Sequence, residues 1–241
     1  MIKQVIRLIR PGLFLPCFVA DTPKPTDLII RPRYLSICAA DQRYFNGNRP
    51  PEVLKQKLPL ALFHEAVGEV LYDPMKILPV GSYCVLLPGG VDSIEDESNY
   101  KQGAFFRSSN AYGFCQEVIF LDREEVLPIC DENSEIYVFT ELLSVCCQAV
   151  RRIEKIRKIE NSVKIGIWGD GSLAFLMALT IESLWNSHSL CIFGKHDEKL
   201  GNFSFVDRRI NIFDTNDSTH IDIAIECVGG RGSEDAIAHA L

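Results

Sequence analysis

Val163-Lys164-Ile165-Gly166-Ile167-Trp168 reads as a strand and runs directly into Gly169-Asp170-Gly171-Ser172-Leu173-Ala174, after which Leu173 to Trp185 reads as a helix. No other stretch limits the fold as strongly. The turn matches G-x-G-x-x-A: the first glycine permits the tight turn, the second lets a pyrophosphate approach the backbone, and the small third residue lets helix pack on strand. The alternation continues on the C-terminal side. Leu190 to Phe193, Arg209 to Phe213 and Ile221 to Cys227 read as further strands, the last followed by Gly229-Gly230 and a helix start. Strands separated by helical stretches predict a parallel sheet with crossover helices. Gly169, Gly171, Ser172 and Ala174 are therefore candidate dinucleotide-binding residues, with helix N-terminal N–H groups facing the phosphates. The competing reading is a structural glycine turn.

The end of the second strand bears on which dinucleotide fits. A site for the unphosphorylated cofactor usually places an acid there to bond the ribose hydroxyls. Here the chain reads Phe193-Gly194-Lys195-His196, with a cation and no acid. Lys195, with His196 or Lys199, suits a 2′-phosphate, so NADPH is expected. The alternative is that Lys195 is a solvated loop residue.

The first half reads differently. Val5 to Ile9, Leu28 to Ile37, Ala66 to Tyr72, Gly81 to Pro88 and Cys115 to Leu121 are short strand-like runs with glycine and proline between them, which predicts a small barrel-like β domain. Residues 91–112 are polar and read as a loop excursion. Tyr137 to Ile159 has helical spacing, with Val138, Leu142, Val145 and Ala149 on one face and basic residues near its end. The expected domains are 1–145 and 146–241.

Apolar residues make up 47% of the chain, too many for a disordered one. The net charge of −7 argues against a nucleic-acid partner. No apolar run approaches the ~18 residues of a membrane span, and the N-terminus lacks a signal-peptide h-region. The 9 cysteines are an odd number at irregular spacing, which points to buried thiols in a reducing cytoplasm and not to a disulfide framework.

A candidate metal set is spread over three segments. Cys38 ends a strand, His64-Glu65 precede another, and Glu141 opens an otherwise apolar helix, where a buried acid needs a partner. Zinc accepts thiolate, imidazole and carboxylate, and a catalytic site keeps a position open. Asp41 has two readings: an outer carboxylate orienting a ligand histidine, or the N-cap of a helix starting at Gln42. Taken singly, Cys38 reads as a buried thiol and His64 as a loop histidine.

Cys38-Ala39-Ala40-Asp41, then His64-Glu65-Ala66-Val67-Gly68-Glu69-Val70, then the glycine turn, resemble the zinc-dependent medium-chain dehydrogenases/reductases. Within that family, Ser36 to Tyr44, Phe106 to Ser109, Gly166 to Gly171 and Glu226 to Ser233 are similar to the ribulose-5-phosphate reductases, which make ribitol 5-phosphate for teichoic-acid or capsular polymers. The resemblance implies a GroES-like β-barrel domain followed by a Rossmann domain. It implies one catalytic zinc ion held by Cys38, His64, Glu65 and Glu141, with Asp41 beside them. Adjacent His64 and Glu65 reach one ion only if the backbone bends there. A structural zinc is not expected, since 88–115 contains only Cys115. Many members carry Ser or Thr where this chain has Ala40, so zinc-bound water, Glu65 and Tyr44 stand as proton donors. Arg43 and Arg107, with Ser108 and Ser109, are candidates for the sugar phosphate, against the reading that they are solvated loop cations.

The expected reaction is reduction of D-ribulose 5-phosphate by NADPH in the cytoplasm, with no membrane partner. A homo-oligomer and a cytidylyltransferase acting on the product are expected partners. The alternatives are an NAD-dependent zinc polyol dehydrogenase and a non-catalytic relic. A complete dinucleotide-binding sheet continues to a fifth and sixth strand. The chain stops after the fourth, so a fragment or truncated product with an exposed sheet edge is expected.

Overall fold

The structure is a computed structural model that describes residues 1–90, 104–130, 134–156, 163–185, 188–213 and 220–240. The chain divides into two units, Met1–Glu141 and Leu142–Leu241, the division falling just before the expected boundary after residue 145.

The first unit opens with an antiparallel hairpin, β1 (Ile2–Arg10) and β2 (Leu13–Ala20), turned at Gly12 with φ +75°. β2 was not foreseen from the sequence. Leu13 to Ala20 is an unbroken apolar run containing Pro16, with no residue fully buried, so it lacks the period of two that marks a half-buried strand. Then come β3 (Leu28–Ser36), the short helices α1 (Ala39–Phe45) and α2 (Pro51–Lys57), and β4 (Glu65–Tyr72). After these lie β5 (Tyr83–Leu86), the two-residue pair β6 (Gly89–Gly90) and β7 (Phe105–Phe106), β8 (Ile119–Leu121) and β9 (Val126–Pro128). Five of these form one antiparallel sheet in the order β8-β3-β4-β5-β9.

Central β4 is buried along most of its length. A Cβ at its Gly68 would lie 2.3 Å from Ile30 Cγ2, so β3 and β4 approach closely only because that residue is glycine. Leu28, Ile30, Ala66, Val70, Cys84, Leu86, Phe114, Ile119 and Leu121 fill the core. The strand expected over 115–121 shrinks to Ile119–Leu121. The preceding N–H groups are used elsewhere: those of Gly113, Phe114 and Cys115 bond the carbonyls of Ala61, Phe63 and Leu62. Of the loop expected over 91–112, residues 91–103 lie outside the described residues; the remainder contains β7 and a turn.

Helix α3 (Thr140–Ile156) follows a 3-10 stretch, Ser134–Phe139, that contains Val138. The helical face read from the sequence is corrected here: Val145 is exposed, and Cys146, Ala149, Val150 and Ile153 face the second unit's core. That unit continues with β10 (Val163–Trp168), α4 (Ser172–Leu184), β11 (His188–Gly194), α5 (Asp197–Leu200), β12 (Arg208–Asn211), β13 (Ile223–Glu226) and α6 (Ser233–Ala240). The strands are all parallel in the order β12-β11-β10-β13, which is 3-2-1-4 counted within the unit. The order reverses beside β10, where open α/β sheets bind ligands. Ile165 and Ile167 point to the α3 and α4 side, against Val150, Ala174, Ala178 and Ile181. Trp168 points to the other face and stacks on Phe193 at 4.2 Å. Among the described residues no helix is long and apolar enough to cross a membrane.

Candidate functional site

The first unit brings Cys38, His64 and Glu65 together, with one ligand atom of each within 4.8 Å of the others. Cys38 is the N-cap of α1, its sulfur accepting the Asp41 N–H. This corrects the reading of Asp41 as N-cap: Asp41 occupies the third helical position and completes a capping box by bonding back to the Cys38 N–H at 3.3 Å. His64 and Glu65 straddle the start of β4. Phe63 just before them has φ +69°, a left-handed conformation uncommon for a bulky residue. A bend at this place is what His64 and Glu65 would need to reach one ion. The segment is clamped by hydrogen bonds from Gly113, Phe114 and Cys115 and by the Phe63 N–H on Asp41 Oδ1 at 3.1 Å.

His64 Nδ1 lies 4.0 Å from Cys38 Sγ, and His64 Nε2 lies 4.0 Å from Glu65 Oε1 and 3.9 Å from Glu141 Oε2. Glu141 comes from the first turn of α3, so all four residues singled out in the sequence gather here. The Phe106 ring flanks the histidine at 5.2 Å.

The electrostatics call for a cation. Glu65 is 2% exposed, and its Oε1 has no hydrogen-bond partner. An unpaired buried carboxylate oxygen costs several kcal/mol unless a cation or proton meets it, on the order of the penalty for a buried charge. Burial raises Glu141 above the ordinary carboxylate range; the His64 charge opposes this and the Glu65 charge adds to it. Burial, with the Asp41 charge next, pushes the Cys38 thiol up to about 12. Such a thiol ionises when a divalent cation binds it. Thiolate, imidazole and carboxylate suit zinc, and three close donors match a catalytic site.

Asp41 is 2% exposed and does not orient the His64 ring as expected. Its oxygens take the Cys38 N–H and thiol, the Phe63 N–H and the Ser108 hydroxyl at 2.9 Å. Ser108 has φ +63° and is buried, so it serves this carboxylate instead of the sugar phosphate. Arg107 is also corrected: its guanidinium is bonded to Glu125 at 2.6 Å and lies over the Phe105 and Phe114 rings. One end of its guanidinium is thus engaged by a carboxylate, while its buried Nε has no partner. Arg43 keeps a buried Nε with no partner. Tyr44 packs with Leu8, Leu60 and Leu62 beneath Arg49, as a core residue.

The second unit carries the glycine turn. Gly169 has φ +139°, where a Cβ would press on the Cys227 carbonyl at 3.0 Å. Gly171 precedes α4 with no side-chain cap, and a Cβ there would meet nothing within 4 Å. That open space beside uncapped helix N–H groups is what a pyrophosphate needs. Ser172 is exposed at the helix start, and Ala174 is fully buried against the sheet. A cavity of about 450 Å³ is lined by Gly169, Asp170, Gly171, Lys195, His196 and the Trp168–Phe193 stack. Burial would raise Asp170, but hydrogen bonds from the His196 ring and from the Lys195 and His196 N–H groups hold it below the ordinary range. Asp170 and the Trp168–Phe193 pair were not singled out in the sequence. The only local hint for Asp170 was an acid between the two glycines.

No protein-family model matches the chain. It is 40% identical to "Ribulose-5-phosphate reductase 1" of Staphylococcus aureus over 240 residues, spanning 98% of this chain and 70% of that protein. It is 38% identical to "Ribulose-5-phosphate reductase" of Bacillus spizizenii over 242 residues, with the same coverage, 98% and 70%. Among solved structures it is similar to S. aureus TarJ in complex with NADPH, with TM-score 0.80 and 38% identity over 98% of this chain and 68% of that one.

Proposed function

Because the chain belongs to the ribulose-5-phosphate reductase family, we propose that it reduces D-ribulose 5-phosphate to D-ribitol 5-phosphate with NADPH, using one zinc ion held by Cys38, His64 and Glu65 with Glu141 beside them. The observation that carries this reading is buried Glu65, whose Oε1 has no hydrogen-bond partner, in a group where one ligand atom each of Cys38, His64 and Glu65 lies within 4.8 Å of the others. The first unit is read as GroES-like and the second as the dinucleotide-binding part of a medium-chain dehydrogenase.

When bound, zinc supplies a Lewis acid for the substrate carbonyl and NADPH supplies the hydride to C2, while a proton completes the new hydroxyl. The chain supplies placement. Cys38 would give up its thiol proton to become a ligand, and the Asp41 backbone N–H, which donates to the sulfur at the N-cap, would keep it in place. The left-handed Phe63 turns His64 and Glu65 toward the same point. Glu65, whose buried Oε1 has no hydrogen-bond partner, would help hold the ion and meet its charge. Gly169, Gly171 and the start of α4 offer backbone N–H groups to the pyrophosphate, and Lys195 offers a cation to the 2′-phosphate. Arg43, with its unpartnered Nε, is the candidate for the sugar phosphate.

The product would serve a teichoic-acid or capsular polymer through a cytidylyltransferase. The reducing cytoplasm suits nine free thiols, and a homo-oligomer is the expected assembly.

The test is the fall in NADPH absorbance with D-ribulose 5-phosphate, with and without a chelator, and with D-ribulose as control. Turnover that needs the phosphate and stops with the chelator supports the proposal. Turnover indifferent to the chelator overturns the zinc role. Absence of turnover in metal-loaded protein overturns the reductase reading for this chain.

A further inference from the structure

Three N–H groups converge on one oxygen of Asp170. The backbone N–H of Lys195 donates to Oδ2 at 2.9 Å and that of His196 at 3.0 Å, and the His196 Nδ1 lies 2.7 Å from it. Lys199 Nζ stands 3.9 Å from Oδ1. The carboxylate is 13% exposed, whereas the Lys195 and His196 side chains are exposed. The packing agrees with the hydrogen bonds. A Cβ at Gly194 would lie 2.9 Å from Asp170 Cβ and 3.1 Å from its Oδ2. Gly194 ends β11, where an NAD-type site would carry its ribose-binding acid. Here the acid is brought in from the glycine turn, packed over a bare glycine, and its oxygen is filled by protein donors. Oδ2 is thus committed to the backbone and the His196 ring, while Oδ1 has Lys199 Nζ beside it at 3.9 Å.

We infer that Asp170 is a positioning residue for recognition of the cofactor's 2′-phosphate: it pins the 194–196 tip of β11 so that Lys195 is presented to the cavity it shares with Gly169 and Gly171. This rests on the NADPH reading given above. A tip tied at two consecutive N–H groups meets part of the ordering cost before the ligand arrives. Asp170 itself does not touch the phosphate.

The experiment is calorimetric binding of adenosine 2′,5′-bisphosphate and of 5′-AMP to the 241-residue chain, which needs no turnover. Wild type binds the bisphosphate more tightly. Asp170→Asn is expected to weaken the bisphosphate about tenfold and 5′-AMP less than about twofold, as a displaced contact would. Lys195→Gln weakens the bisphosphate similarly, and the double variant loses little more, because both act through one contact. Gly194→Ala keeps the carboxylate but crowds it, and is expected to give the same selective loss; it decides the matter if Asp170→Asn does not fold by circular dichroism.

Equal loss for both ligands, no loss, or additive losses with Lys195→Gln overturns the positioning role while leaving the NADPH reading intact. A gain in bisphosphate affinity shows a ribose-type acid and overturns it too. A wild-type chain that does not prefer the bisphosphate overturns both together.

Discussion

Asp41 accepts the backbone N–H of Phe63 at 3.1 Å, and Phe63 is held at φ +69° immediately before the candidate ligands His64 and Glu65. A bulky residue in that conformation costs on the order of 1–3 kcal/mol and persists only when its surroundings hold it there. The same carboxylate grips the Cys38 N–H and the Ser108 hydroxyl. One buried acid thus ties the thiol, the bend and a distant loop into a single arrangement.

Removing that tie should loosen the metal without removing a ligand. Asp41→Ala and Ser108→Ala are each expected to weaken zinc binding about 10–100-fold, as outer-shell changes do. Competition with a calibrated chelator reads this directly. Unchanged zinc affinity in both variants would show that the ligands orient themselves.

On the proposed zinc reading, wild type should carry about one ion per chain by elemental analysis; Cys38→Ala should reduce this to a trace and lower reductase turnover by roughly a hundredfold or more, since a lost ligand exceeds a lost outer contact. Glu65→Gln separates charge from shape. It should fold at least as stably without metal, because it removes an unpaired buried charge, and still bind zinc poorly.

Gly113 controls the bend from behind. A Cβ there would lie 2.2 Å from the Leu62 carbonyl oxygen and 2.5 Å from that of Phe63, both backbone atoms. Gly113→Ala is expected to cost about 3 kcal/mol, at the upper end for overpacking, and to weaken zinc binding with it. Urea unfolding and metal titration on the same preparation check both effects.

Gly171→Val should separate stability from cofactor binding. Its backbone is extended, at φ −95° and ψ −176°, and a Cβ meets nothing, so the stability cost should be limited to the poorer N-cap, about 1 kcal/mol. The added side chain fills the space the pyrophosphate needs, so NADPH affinity should fall more than about tenfold. Fluorescence titration with NADPH and a thermal melt test the two halves.

Asp73 gives a pH dependence away from both sites. Burial would raise it, but the N–H of Leu78, the Arg123 guanidinium and the N–H groups of Met75 and Ile77 outweigh burial and hold it at about 2, below the usual 3.8. A depressed carboxylate contributes stability that is present above its unfolded value and lost as pH falls through the folded one. Wild type should therefore lose stability between about pH 4 and pH 2, and Asp73→Asn should show a shallower loss there. At neutral pH Asp73→Ala should cost about 3 kcal/mol by leaving those donors unmet.

The β-then-α/β order, the glycine turn and the types of metal ligand were legible in the sequence, because strand and helix periods and turn chemistry act over a few neighbouring residues. Edges and faces were less so. β2 lacks alternation since neither of its faces is fully covered, and the buried stripe of α3 is set by the sheet it packs on, not by its own apolar residues. Arg107 and Ser108 looked like open phosphate ligands because nothing adjacent in the chain reveals that Glu125 and Asp41 already hold them. Only the tertiary structure decided that Cys38, His64 and Glu65 lie together with Glu141 beside His64, that Phe63 takes a left-handed conformation just before them, and that Asp170 accepts the N–H groups at the tip of β11. Each of these depends on the register of strands and turns far apart in the chain. That register is fixed by burial and backbone pairing across the whole unit, a balance no local pattern records.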